Sequence, residues 1–252
     1  MPTAKLVQIE SWSYSKVQVY ETCPRQAKHK YIDKLPEPGE KSPALQHGTR
    51  VHALAAAWVT KKLPDFTAWD GKELLQYKDE LERVIKSKKI PEELERFEKE
   101  FRVLIKAKAQ CEEMWNFDRQ WNLMGKAYNP RIWLRVKVDS HFIDAKKIVH
   151  IIDYKTGKEK ADHAEQRSIY ALAAFVYYPD ALGCTAQHWY LDAGVMTPGA
   201  WDAKALETLK KEWGKKTTAL LSDTSFRATP SPSACRWCAF RKDRGGPCGE
   251  FV

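Results

Sequence analysis

The chain has 252 residues, of which 43% are hydrophobic and 12% aromatic. That is enough apolar material to close one substantial core and too much for a disordered chain. Lys and Arg outnumber Asp and Glu 42 to 33, giving a net charge of +9, which favours polyanionic partners through counterion release. No apolar run approaches the roughly 20 residues needed to span a bilayer, and the opening MPTAKLVQIESWS carries no apolar signal core, so the expectation is a cytoplasmic protein with no membrane partner. In a reducing compartment, any cluster among the six cysteines points to a metal rather than to disulfides.

Ser13 is placed to cap a first helix running toward Cys23, and Pro24 ends it and opens a short second one. After the loop LPEPGEKSP, the stretch GTRVHALAAAWVTKK sets Val51, Leu54, Ala55, Trp58 and Val59 at helical spacing. Residues 71 to 89 and 91 to 115 predict two amphipathic helices, the second with Leu94, Phe97, Phe101, Leu104 and Ile105 on one stripe. Residues 60 to 115 are therefore expected as a helical insertion or a solvated bundle. In RIWLRVKVD the period changes to two, predicting a strand with one apolar face. A turn at DAKK and the β-branched run IVHIIDYK complete a hairpin. A helix at about 162 to 178, a strand at about 185 to 192 and a helix at about 200 to 221 follow. The expected fold class is α/β (α+β), one domain over 1–252 with a central mixed sheet flanked by helices.

Asp153 and Lys155 stand two apart on a predicted strand, so both side chains share one face. Alone, D-x-K is most simply an edge-strand ion pair. Asp139 ends the preceding strand, and the hairpin would bring it beside Asp153. Two carboxylates on neighbouring strands make a hard oxygen site suited to Mg or Mn, and a lysine beside them suits phosphodiester hydrolysis. Gln166 and Tyr170 lie four apart on one helical face. Cys235 and Cys238 form a C-x-x-C, with Cys248 after a further nine residues and Cys23 far upstream. A C-x-x-C alone fits zinc, a redox pair or iron–sulfur. Cys111 and Cys184, expected in a helix and a strand, read as small buried thiols.

The segments SWSYSKVQVYETCPRQ, QHGTRVH, the VKVD and IIDYKTGK pair, EQRSIYAL and CRWC together resemble the RecB-like branch of the PD-(D/E)xK superfamily, including the CRISPR-associated RecB-like exonucleases and related phage nucleases. The resemblance implies a restriction-endonuclease-like core. It implies Asp139 and Asp153 as acidic metal ligands, Lys155 as the catalytic lysine, His52 completing the metal site and the Tyr154 carbonyl as a further ligand. Gln166 and Tyr170 match a motif that holds the lysine and the DNA backbone. Cys23, Cys235, Cys238 and Cys248 match the ligands of a 4Fe-4S cluster that staples the chain ends, with zinc as the alternative. The gap before Cys248 is wider than the family usually shows.

The function this implies is Mg- or Mn-dependent DNA cleavage, an exonuclease with some endonuclease activity, acting on single strands or resected ends in processing, recombination or repair. Recombination or integration proteins are the implied partners, and a phage-encoded origin fits the resemblance. The alternative from another class is a DNA-binding adaptor that presents DNA to a partner enzyme. The intact set His52, Asp139, Asp153 and Lys155 favours catalysis over it. RNA as substrate is left open by charge and by site residues alike.

Overall fold

The computed structural model describes residues 8–38, 41–67, 71–125, 129–158 and 163–252. The first residues of the N-terminal segment, residues 39–40 of the Pro/Gly loop and residue 162 at the start of the expected helix lie outside them. The α-helices among the described residues are α1 Tyr14–Thr22, α2 Pro24–Ala27, α3 Pro43–Thr60, α4 Lys78–Lys86, α5 Glu98–Lys106, α6 His163–Tyr177, α7 Leu206–Ser222 and α8 Pro232–Arg236. The strands among the described residues are β1 Gln110–Phe117, β2 Leu123–Met124, β3 Leu134–Ile143, β4 Ile148–Lys155, β5 Gly183–Tyr190 and β6 Val195–Asp202. They form one mixed sheet in the order β2-β1-β3-β4-β5-β6. By contacts the chain divides into two compact units, one of residues 1–40, 116–135 and 210–252, the other of 41–115 and 136–209.

In the first unit, Ser13 caps α1 by accepting a hydrogen bond from the Lys16 N–H at 3.3 Å, and Pro24 stops the helix one residue after its cap. Trp12 is fully buried. It stacks on Trp213 at 5.6 Å and meets the edge of Trp133 at 5.4 Å, and such aromatic pairs bury large apolar area.

In the second unit, Ser42 and Pro43 open α3, whose buried face is Val51, Leu54, Ala55, Trp58 and Val59, as its spacing predicts. Val51, Ala55, Trp58 and Val59, with Leu94, Phe97, Phe101 and Leu104, pack on Ile152, Tyr154 and Trp189 of the sheet, while Leu54 packs with Leu81 of α4. The hairpin forms as expected: β3 pairs antiparallel with β4, with Ser140 opposite Ile152 and His141 opposite Ile151. β4 pairs parallel with β5, setting Asp153 beside His188.

Several expectations need correction. Helix does not continue to residue 115, because α5 ends at Lys106 and β1 begins at Gln110. Lys108 turns the chain at φ +53°, and Ala109 donates back to the Leu104 carbonyl at 2.9 Å. This left-handed stop ordinarily advertises itself with glycine, and a lysine there conceals it. Cys111 is accordingly in a strand. Gly71–Tyr77 and Glu92–Phe97 are 3-10 turns. Residues 195–202, expected in part as helix, form the edge strand β6. There Pro198 pairs with Gln187, an outer position that tolerates the missing N–H but hides the strand from propensity.

Phe101 joins the α5 stripe to the sheet, 5.5 Å from both the Tyr154 and Trp189 rings, and it is fully buried. Phe101→Ala is expected to cost about 3–5 kcal/mol in urea denaturation. Val103→Ala, on the exposed side of the same helix, should change stability by only about 0.5 kcal/mol or less.

Candidate functional site

The hairpin register carries Asp139 to Asp153's end of β4, and the Tyr154 N–H donates to Asp139 Oδ2 at 2.8 Å. From α3, His52 Nδ1 approaches the same oxygen to 3.3 Å. From β1, Glu112 completes a group in which ligand atoms of His52, Glu112 and Asp139 lie within 4.8 Å of one another. Glu112 was not singled out by the sequence, because a charged residue in an apparent helix face carries no signal. Its backbone is unusual, at φ +54°. For a residue with a Cβ this costs roughly 1–2 kcal/mol, and such cost is retained at functional sites.

The second carboxylate, Asp153, is 4% exposed and is gripped by side chains from α6. Tyr170 donates a short hydrogen bond to its Oδ1. Gln166 Nε2 donates to the same oxygen at 3.3 Å and to the Tyr170 hydroxyl at 2.9 Å. The far end of that amide receives Lys155, whose Nζ donates to Gln166 Oε1 at 2.9 Å. Lys155 also comes within 2.6 Å of Asp153 Oδ2, but outside hydrogen-bond geometry, so this buried oxygen has no hydrogen-bond partner. Asp153, Lys155, Gln166 and Tyr170 are thus one network. His188, also unforeseen, faces it with Nε2 3.7 Å from Asp153 Oδ2, while Arg167 donates to its Nδ1 at 3.0 Å. Burial, then the charges of Lys155 and Arg167, hold its imidazole down at about 3, so the ring is neutral.

Electrostatics explains the crowding. Burial and the charge of Asp139 both push the Asp153 carboxyl up, and the same two causes raise Glu112. Burial would also raise Asp139, but the His52 charge and hydrogen bond and the Tyr154 N–H outweigh it and hold Asp139 down. Burial presses His52 down, and Asp139 overcomes that and raises it to about 9. Three carboxyl groups and the His52 imidazole, once deprotonated, form a donor set of hard oxygens and one nitrogen. With Glu112 Oε1 buried without a hydrogen bond and Asp153 Oδ2 touched only by the Lys155 ammonium, it fits a divalent cation such as Mg or Mn. Tyr154 spends its N–H on Asp139, and its ring lies 5.8 Å from His52.

In the other unit, Cys23, Cys235, Cys238 and Cys248 all line a single cavity together with His29 and Phe240. The wide gap before Cys248 is taken up by a turn at Lys242–Arg244, and the Cys248 N–H returns to the Phe240 carbonyl at 2.9 Å. Burial raises the Cys238 thiol; a backbone hydrogen bond at Phe240 lowers it, and the other three cysteines raise it further. Cys111 and Cys184 stand apart from this set, in β1 and β5, and burial pushes each up to about 12, as inert thiols should be.

A family model described as the PD-(D/E)XK nuclease superfamily matches residues 11–242. No curated protein matches the chain. Among solved structures, the crystal structure of SSO0001 is similar at 12% identity over 95% of this chain and 87% of that one, with a TM-score of 0.37. No described helix is long and apolar enough to cross a membrane.

The raised His52 fixes the sign of a pH effect. Its ion pair with Asp139 contributes in full below the ordinary imidazole value of 6.5 and is lost as pH rises through about 9. A cation must displace that proton, together with any proton on Glu112 or Asp153. Mn affinity should therefore rise as pH increases from 6.5 toward 9, with proton release detected by calorimetry in buffers of different ionisation enthalpy. Binding that is independent of pH and buffer would contradict the assignment.

Proposed function

The chain belongs to the PD-(D/E)XK nuclease superfamily, and from that membership we propose that it is a Mg- or Mn-dependent deoxyribonuclease. Its main action is exonucleolytic, with some endonuclease activity, on single-stranded or resected DNA ends inside the cell. The observation that carries the reading is the convergence of buried Asp139 with half-buried Glu112 and His52 beside the network that joins Asp153 to Lys155. Asp139, Asp153, Glu112 and His52, with the Tyr154 carbonyl, would hold the cation. When bound, the cation offsets the charge that develops on the phosphoryl oxygens. Lys155, aimed by the Gln166 carbonyl, orients the attacking water and stabilises the same charge. Tyr170 and Gln166 hold Asp153 through its Oδ1, which would leave Oδ2 the oxygen available to a cation. Recombination or integration proteins are the partners this activity fits.

The cysteine cavity is read as the seat of a 4Fe-4S cluster, with zinc as the alternative. Four thiols around one cavity suit either, since thiolate ligands serve both. One ligand from the end of α1 and three from the last forty residues make the centre a staple for its unit. Anaerobically purified protein should be brown and carry iron and sulfide, and Cys235→Ala should lose them and melt earlier. One equivalent of zinc in colourless protein would replace the cluster but keep the staple, and freely alkylated cysteines without metal would remove both.

On end-labelled DNA with Mn, Asp139→Ala and Asp153→Ala should abolish cleavage with the fold retained. Lys155→Ala should lose turnover but keep Mn binding, because an ammonium donates and does not ligate. Full activity in either aspartate variant would overturn the proposal. Intact DNA binding without any cleavage by the wild type would favour an adaptor, and cleavage of RNA alone would change the substrate.

A further inference from the structure

The stretch SWSYSK at the start of α1 takes no part in the proposed chemistry, yet it holds an electrostatic anomaly. Lys16 Nζ donates to the Ser11 carbonyl at 2.8 Å and to Ser11 Oγ at 3.0 Å, and it lies 5.4 Å from the Tyr31 ring. An ammonium has three donors, so one remains. Backbone pairing brings Arg135 to the same segment: its N–H donates to the Trp12 carbonyl at 3.0 Å, while the Trp12 N–H donates to the Trp133 carbonyl at 2.7 Å. The Arg135 side chain is half-buried, and its Nε is buried with no hydrogen-bond partner.

Among the described residues no carboxylate pairs with either cation. Glu37, which bears on Tyr31, is taken by Lys30 at 2.5 Å. Burial, and then the charge of Arg135, hold the Lys16 ammonium down at about 8. Two partly desolvated cations that repel each other are unfavourable unless an anion joins them, and a buried donor such as Arg135 Nε calls for an acceptor, water or an anion. A guanidinium fork beside an ammonium matches the oxygens of a phosphate.

We propose that Lys16 and Arg135 form a phosphate-oxyanion site that takes a phosphate group of a nucleic acid. The source of that phosphate rests on the nuclease reading. It is either an internal phosphodiester or a terminal phosphate, which present the same oxygens.

The test measures anisotropy of labelled single-stranded oligonucleotides carrying a 5′-phosphate or a 5′-hydroxyl. The wild type, Arg135→Gln and Lys16→Gln are compared in EDTA over a range of salt, with melting curves of each protein. Each variant should lose affinity on the order of tenfold, with a salt slope smaller by about one. Arg135→Gln should melt no lower than the wild type, because a repulsion is removed. Equal loss on both oligonucleotides supports an internal phosphodiester, and loss confined to the 5′-phosphate supports a terminal one. Unchanged affinity and slope in both variants, or a loss that accompanies lowered melting in both, would overturn the site. So would a wild type that binds neither oligonucleotide. Because no metal is present, a failure to cleave with this binding intact falls on the nuclease reading alone.

Discussion

Three carboxyl groups, buried Asp139 and Asp153 and half-buried Glu112, crowd one corner of the sheet. Like charges so placed repel, and the protein's own cations relieve this only in part. His52 serves Asp139, Lys137 reaches Glu112 at 2.7 Å, and Lys155 touches Asp153 without a hydrogen bond. The raised carboxyls of Glu112 and Asp153 are the residue of that imbalance, and a divalent cation is the simplest group that removes it. The rest of the second unit can be understood as what keeps these groups from relaxing apart.

The devices are specific. The β3–β4 hairpin fixes Asp139 against the Tyr154 N–H, and parallel pairing sets neutral His188 beside Asp153. Phe101, Tyr154 and Trp189 pack beneath the strand ends, so a shift of β4 would open the core. From above, α6 presents Gln166 and Tyr170 one turn apart, and the single amide of Gln166 couples Lys155 to Asp153. An amide has both a donor and an acceptor, so it serves an ammonium and a carboxylate together. Glutamate there would lack the donor and add a fourth negative charge.

Much of this was legible in the sequence where one period governs one element. Alternation in RIWLRVKVD, the β-branched run ending in Asp153 and Lys155, and the i,i+4 pair Gln166 and Tyr170 each place a side chain from local spacing alone. What stayed hidden depended on exceptions to local rules. Glu112 sits in a strand entered through a left-handed lysine and has a positive φ of its own, so neither its element nor its direction follows from propensity. His188 lies in the expected strand, but only the pairing of β5 with β4 gives it a partner. Strand β6 was obscured by Pro198 and Gly199, residues that an edge position accepts. The spacing of Cys238 and Cys248 looked irregular because sequence distance ignores the turn that folds the chain back between them.

The most direct test of the account is anomalous diffraction from crystals soaked in Mn. The account predicts one strong peak bonded to the carboxylates of Asp139, Asp153 and Glu112 and to the imidazole of His52, with Lys155 still held by Gln166 and unbound to the ion. A well-occupied Mn elsewhere in the chain with this group of side chains empty, at a pH near 8, would contradict it.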